Sequence, residues 1–424
     1  YTNIDAAQKC TRNFNERIVK MFFSISTEKF DNRFVNHKKI KDYYVSVDDG
    51  WYTDIYNDVT ILYKGYCDEK LLSDAVKEFF YHRVPVYNGN FCAIVVDSQQ
   101  LHVLHDLTRS FPLVVYENKI ITNFPDNEFD FSIQRVWSDS LVSISKRNID
   151  INYINNIPEV DYTQKNSLAA CVSDIALLLA EKSKQLGNFE SPIKVFLSGG
   201  VDTMMVYSVV KKCVWLNENG HELVVNENFD LTEFTAKNYQ KINHTFWGYR
   251  QIHHWKQKSI FAPGACGDEI FMRGPSTAAL WCAWHDYNLI EILDDLDYSY
   301  HKKYFTKEKN KTVFNDAWKN RSEIQKLSYQ ELCEKIVNNI FNDHQHWHIE
   351  NTLTWTPLKD IRILQNILKL PTYDLLQQIL HGSLDRAIIS QFDPELNNYI
   401  CTHKNYNQYH NLLNYPDYKE KINA

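Results

Sequence analysis

The sequence predicts an α/β protein of two domains, and three observations carry the prediction. The first 150 residues read mostly as strands punctuated by Asn, Asp, Gly and Pro. Residues 147–167, "RNIDINYINNIPEVDYTQKNS", are polar, Asn-rich and weakly periodic, which marks a boundary. Beyond them the texture turns to long amphipathic helices with few strands. The division then assigns residues 1–158 to a first domain and 159–424 to a second. A chain of 424 residues, 44% hydrophobic and 14% aromatic, has material for two cores.

In order, "RIVKMFFSIS", "DVTILYKGY", "NFCAIVVD", "LHVLHD" and "FPLVVYENKIITNF" read as strands, many with period-two alternation. One helix, "CDEKLLSDAVKEFFYH", interrupts them. Residues 168–186 place Leu168, Cys171, Val172, Ile175, Leu178 and Leu179 on one helical stripe. A strand at 193–197 follows, and residues 277–390 are dominated by helical patterns rich in Trp, Tyr and Leu. There is no internal repeat or low-complexity tract.

The 46 basic and 53 acidic residues leave a net charge of −7, so nothing points to a nucleic-acid partner. Nine cysteines, spread from Cys10 to Cys401 without a CxxC pair, argue against a disulfide framework, a zinc ribbon or a dithiol redox site. A reducing, cytoplasmic setting is the expectation. The sequence has neither a basic-then-apolar leader nor an 18-residue uncharged apolar run, so no membrane partner is expected. The chain opens on Tyr1, so the biological N-terminus is expected to lie further upstream.

The chemistry concentrates in "KVFLSGGVDTMM", residues 194–205, where a β-branched run ends in small residues and an acid opens a helix. Ligands of open α/β sheets sit where strands end and helices begin. There, Gly199 and Gly200 admit a phosphate close to the backbone, and the hydroxyls of Ser198 and Thr203 can donate to its oxygens. Asp202 would repel that phosphate unless a divalent cation lay between them, which implies Mg²⁺. The plainer reading is a tight turn with Asp202 capping the helix. A second stretch tips the balance: "APGACGDEIFMRGP", residues 262–275, again releases small residues into an acidic pair, Asp268 and Glu269. Two Gly-rich turns, each ending in a carboxylate, suit a metal-bridged triphosphate.

These stretches resemble a known family. "LSGGVDT" is similar to the SGGxD[ST] pyrophosphate loop of the N-type ATP pyrophosphatases, and "PGACGDEIF" resembles the SGEGxDExF segment of the asparagine synthetases. Pro357-Leu358-Lys359-Asp360 with "LKLP" at 368–371 is similar to their PFLD…LP segment. In the first half, "YKGYCDEKL", "GNFCAIVVD", "HDLTRSFPLVVY" and "ITNF" follow the order of the glutaminase-domain motifs YNGEIYNxxEL, GxFAFAxxD, RDxxGxxPLYY and FASE. β-Lactam synthetases and lasso-peptide cyclases are the nearest functional analogues.

The resemblance implies an Ntn-hydrolase-like αββα sandwich followed by a PP-loop parallel-sheet domain of the adenine nucleotide alpha-hydrolase type, with a helical C-terminal part. It implies an ATP-dependent ligase that adenylates a substrate carboxylate, releases pyrophosphate and lets an amine attack, the partners being small-molecule or peptide carboxylates and amines. Carried over by position, Leu197, Ser198, Gly199, Gly200, Val201, Asp202, Thr203, Gly264 and Gly267 hold the nucleotide, Asp202 and Asp268 ligate Mg²⁺, and Glu269 is a further metal candidate. Lys404 is the candidate catalytic lysine.

The departures narrow the reading. Glutamine hydrolysis in this family uses an N-terminal cysteine at the first strand, yet the matching strand here is "MFFSIS"; Cys10 precedes "TRNF" instead, and the oxyanion-forming Asn-Gly is Lys64-Gly65. The first domain is therefore expected to be a remnant without amidohydrolase activity. Ala265 replaces the glutamate of SGEG, a position associated with handling ammonia, which favours a larger or intramolecular amine. The short stretch after the first loop, "VYSVVKKCVWLNENGHELVV", implies a trimmed layer or missing residues. Asparagine synthesis from ammonia, PP-loop tRNA modification and a non-catalytic nucleotide-binding relative stand as alternatives. His344, His346 and His348 lie on a helical pattern that would splay them, so they read as ordinary histidines, like His253 and His254. The basic run at 301–311 reads as a solvated face.

Overall fold

In the computed structural model the described residues are 23–32, 34, 36–47, 51–68, 70–82, 88–106, 113–116, 120–122, 133–135, 140–144, 149–153, 161–184, 186, 193–197, 200–213, 222–225, 259–262, 264, 266–295, 305–343 and 352–398. The fold is mixed α/β, and the chain divides into two compact units: residues 1–156 with 345–353, and residues 157–344 with 354–424.

The first unit is built on two antiparallel sheets. One runs from edge to edge as Ile133–Arg135, Val114–Tyr116, Ile120–Thr122, Phe23–Ser26, Tyr43–Val47 and Asn36–Ile40. The other runs Ile149–Tyr153, Ser140–Ile144, Leu101–His105, Gly89–Val96, Val59–Cys67 and Tyr52–Tyr56. Alternation along Gly89–Val96 explains the layering. Cys92, Ile94 and Val96 point into a core shared with Phe23, Ile25 and Val45 of the other sheet, whereas Phe91, Ala93 and Val95 meet Leu72, Ala75 and Val76 of the Leu72–His82 helix. The described residues thus stack as helix, sheet, sheet. The Tyr43 hydroxyl crosses between the sheets to the Ile144 carbonyl at 2.8 Å. Gly65 sits at φ 107°, a conformation that a side chain would strain.

The second unit holds a parallel sheet and most of the helices. Ile193–Leu197 is its central strand, paired in parallel with Glu222–Val225 on one side and Ser259–Ala262 on the other. The Val201–Cys213 helix leaves the central strand with Val201, Met204, Met205, Ser208 and Val209 buried, the spacing of one helical face. The Leu168–Lys184 helix buries the expected Cys171, Val172, Ile175 and Leu179. It also buries Lys182, which lies on an apolar stripe because its ammonium meets Asp360 at 3.0 Å. Asp360 caps the Ile361–Leu368 helix by accepting from Arg362 N and also receives the Arg362 guanidinium. Burial alone would raise its pKa, but Lys182 and Arg362 outweigh burial and hold the carboxyl at about 2. The Ser383–Phe392 helix packs on both the Leu168–Lys184 and Val201–Cys213 helices, which carries Asp385 towards the end of the central strand.

Candidate functional site

The site forms where the central parallel strand ends. Its chain continues through the Val201–Cys213 helix to the strand on one side, while Ser259–Ala262 lies on the other, so the strand order reverses at this point. Such reversals open a crevice at the carboxyl ends of the strands. Asp202 lies in the first turn of the helix, not at its cap: Met204 N bonds Gly200 O at 3.1 Å, and the Asp202 side chain turns away to Arg273.

The second Gly-rich turn runs directly over this first turn. A Cβ at Gly264 would stand 2.5 Å from Thr203 N and 2.6 Å from Asp202 C, and one at Gly267 would collide with the Asp202 carboxylate. Only glycine permits that approach at either position. Two residues with side chains, Cys266 at φ 62° and Met272 at φ 60°, bracket the short Gly267–Ile270 helix that carries Asp268 and Glu269. Left-handed backbone at non-glycine residues stores strain of the kind found at functional sites.

At the centre of the cluster is a residue that sequence reasoning passed over. The Arg273 guanidinium donates through Nη2 to Asp202 Oδ1 and through Nη1 to Asp268 Oδ1, and its Nε lies 2.9 Å from Asp385 Oδ2. Its side chain is 3% exposed and that of Asp385 is sealed, whereas Asp202 is 17% and Asp268 49% exposed, so the cluster opens to solvent on the Asp268 side. Gln378 fixes the sealed end. Its Nε2 donates to Asp385 Oδ2 at 3.0 Å and to the Phe271 carbonyl at 2.9 Å, and its Oε1 accepts from Leu384 N at 2.7 Å. Gly382, at φ 65°, ends one helix and starts the next, setting Leu384 and Asp385 back across the turn from Gln378.

Negative charge exceeds positive charge around this guanidinium. Burial pushes the Asp202 carboxyl well above the usual carboxylate range against the pull of Arg273, and Asp268, Asp385 and Glu269 add to the push. Burial pushes the neighbouring Cys266 thiol up to about 12 despite the nearby Lys359 ammonium, which makes it a poor nucleophile. The Thr203 hydroxyl donates to Gly200 O at 2.9 Å, so donation to a phosphate would break that bond.

The donor set can be tested for a metal. Among the described residues no group of three or more His, Cys, Asp and Glu forms a metal cage. Asp202 and Asp268 each spend one carboxylate oxygen on Arg273 and keep the other for a further partner. Two carboxylates suit Mg²⁺ arriving with phosphates and waters, which is how that ion is usually held, and do not suit a resident ion.

Of the residues expected at the site, Asp202, Asp268, Gly264 and Gly267 come together, with Gly200, Val201, Thr203 and Glu269 adjoining and Leu197 ending the central strand. Ser198, Gly199, Ala265, Lys404, Cys10 and the histidines at 253, 254, 344, 346 and 348 lie outside the described residues. Cys67, Cys92, Cys171, Cys266, Cys282 and Cys333 are buried thiols. Trp281 is core, its ring centroid 4.4 Å from that of His285. Arg273 carried a faint signal, a lone cation five residues after Asp268; Asp385 and Gln378 carried none. Among the described residues no helix is long and apolar enough to cross a membrane. No protein-family model matches the chain, and no curated protein matches it.

Proposed function

We propose that this protein is an ATP-dependent, AMP-forming carbon–nitrogen ligase of the asparagine synthetase-like type, acting in the cytoplasm on a carboxylate and an amine other than ammonia. On this reading the second unit is a PP-loop domain, and the first is a glutaminase-like Ntn domain without amidohydrolase activity. The observation that carries the reading is the close approach of Gly264 and Gly267 to Asp202 at the end of the central parallel strand. Two acid-bearing turns distant in sequence share one corner.

The chain's own residues supply binding and orientation. The first amides of the Val201–Cys213 helix receive the polyphosphate, helped by the positive end of the helix dipole. Asp202 and Asp268 would hold Mg²⁺, which neutralises charge on the departing pyrophosphate. Gln378 and Asp385 fix Arg273, and Arg273 aligns the two acids. Adenylation needs this charge arrangement more than it needs a protein nucleophile, consistent with the raised Cys266 thiol.

A non-catalytic nucleotide-binding relative is the second reading, favoured by the guanidinium that already engages both acids. ATP–pyrophosphate exchange in the presence of pooled carboxylates separates the two. Substrate-dependent exchange, reduced at least ~100-fold in Asp268→Asn, is expected for the ligase. Nucleotide binding without exchange under any carboxylate pool selects the second reading, and wild-type exchange in Asp268→Asn overturns the metal assignment.

A further inference from the structure

We infer that Arg273 is an internal counter-ion that keeps divalent metal out of the site until a polyphosphate arrives. The inference rests on the reading of the site as one for a magnesium nucleotide. Its basis is the position of the guanidinium, which engages one oxygen of each acid that would ligate the metal, Asp202 and Asp268. The side chain is not free to swing away unaided. Asp385 Oδ2 pairs with its charge 2.9 Å from Nε, both side chains are almost sealed from solvent, and Gln378 ties Asp385 to Phe271 and Leu384.

A divalent ion bridging Asp202 and Asp268 beside this fixed positive charge would meet like-charge repulsion in partly buried surroundings. A bound polyphosphate removes the conflict. Its oxygens accept from the guanidinium, as phosphates do from arginine forks, and bring enough negative charge for the metal to share the two acids. Metal and polyphosphate therefore bind with positive coupling, and by linkage each raises the affinity of the other by the same factor. In the empty site each of the two acids has the guanidinium as a partner. Arg273 is a positioning residue in this scheme: it sets the order in which the site fills.

The test uses the full chain, with Mn²⁺ as the metal probe read by electron paramagnetic resonance and inorganic pyrophosphate as the polyphosphate. Wild type is expected to bind Mn²⁺ weakly alone and at least about tenfold more tightly with pyrophosphate. Arg273→Gln is expected to bind Mn²⁺ alone at least about tenfold more tightly than wild type and to lose most of the coupling. A purely structural arginine would not, on removal, raise metal affinity.

Because Arg273→Gln risks failing to fold, Gln378→Leu provides a second route. It leaves every charge of the cluster in place but removes the amide that fixes Asp385, so Arg273 is held less firmly and metal-alone affinity should rise several-fold. Equal metal-alone affinity in wild type and Gln378→Leu overturns the inference, as does wild type binding Mn²⁺ alone as tightly as with pyrophosphate. Absence of any Mn²⁺ or pyrophosphate binding in wild type instead removes the nucleotide reading on which the inference stands.

Discussion

Asp202 is a charge that its surroundings resist. Burial and three nearby acids push its carboxyl upward, and Arg273 only partly offsets them. A carboxyl raised above its unfolded value favours folding only where it stays protonated; once pH passes the unfolded value, near 3.9, the buried charge weakens the fold. Asp202→Asn keeps the size of the side chain and removes that charge, while Arg273 retains Asp268 and Asp385. The variant is expected to unfold at a higher denaturant midpoint, by about 1 kcal/mol, the usual gain when functional strain is relieved. Its exchange activity is expected to vanish. A comparable loss of stability would instead make Asp202 a structural partner of Arg273.

At the scale of elements, the site depends on how closely one turn lies on another. The Gly264 contact is with backbone, which cannot rotate aside, so Gly264→Ala is expected to lift the turn from the helix. The cost is about 1–3 kcal/mol, as for other overpacked contacts, accompanied by loss of pyrophosphate affinity in calorimetry. Gly274→Ala is the control. Its new Cβ would stand 3.3 Å from Glu269 Cγ, the middle of a flexible side chain, on extended backbone, and should leave affinity near wild type. Equal effects would mean that the close approach at Gly264 does not position the site. Much of this arrangement was legible beforehand, because glycines that admit a close approach and acids that follow them are local signals. The period-two strands and the helical stripe through Cys171, Ile175 and Leu179 were legible for the same reason. What carried no local signal is pairing over distance: Asp385 lies 112 residues from Arg273 (385 − 273), and Lys182 sits on an apolar face only because Asp360 waits there. Glutamine, arginine and aspartate at such positions read as surface residues until the fold brings them together.

For the molecule as a whole, acid is the informative stress. Burial holds the His381 imidazole at about 4, and burial with the nearby Lys165 holds His285 at about 4. The unfolded value is about 6.5. Both rings therefore take up protons on unfolding, so their contribution is complete above the unfolded value and drains away as pH falls towards 4. His381, 6% exposed, alone removes about 2 kcal/mol between pH 7 and pH 5. Over the same range the 16 histidines take the net charge from −7 through zero near pH 6.2 to positive values, so general charge effects also act, and the difference between wild type and His381→Gln is what isolates this imidazole. Asp360 acts later: held at about 2 by Lys182 and Arg362, it keeps its contribution until pH falls below the unfolded carboxylate value and then yields about 2 kcal/mol. Guanidinium midpoints followed against pH should accordingly fall in two legs. His381→Gln should flatten the upper leg by nearly one proton and leave the lower one, and Asp360→Asn should do the reverse after its own loss at neutral pH. Parallel curves for wild type and His381→Gln would show that the imidazole takes up its proton in the folded protein as readily as in the unfolded chain, and burial would then not be what holds it neutral.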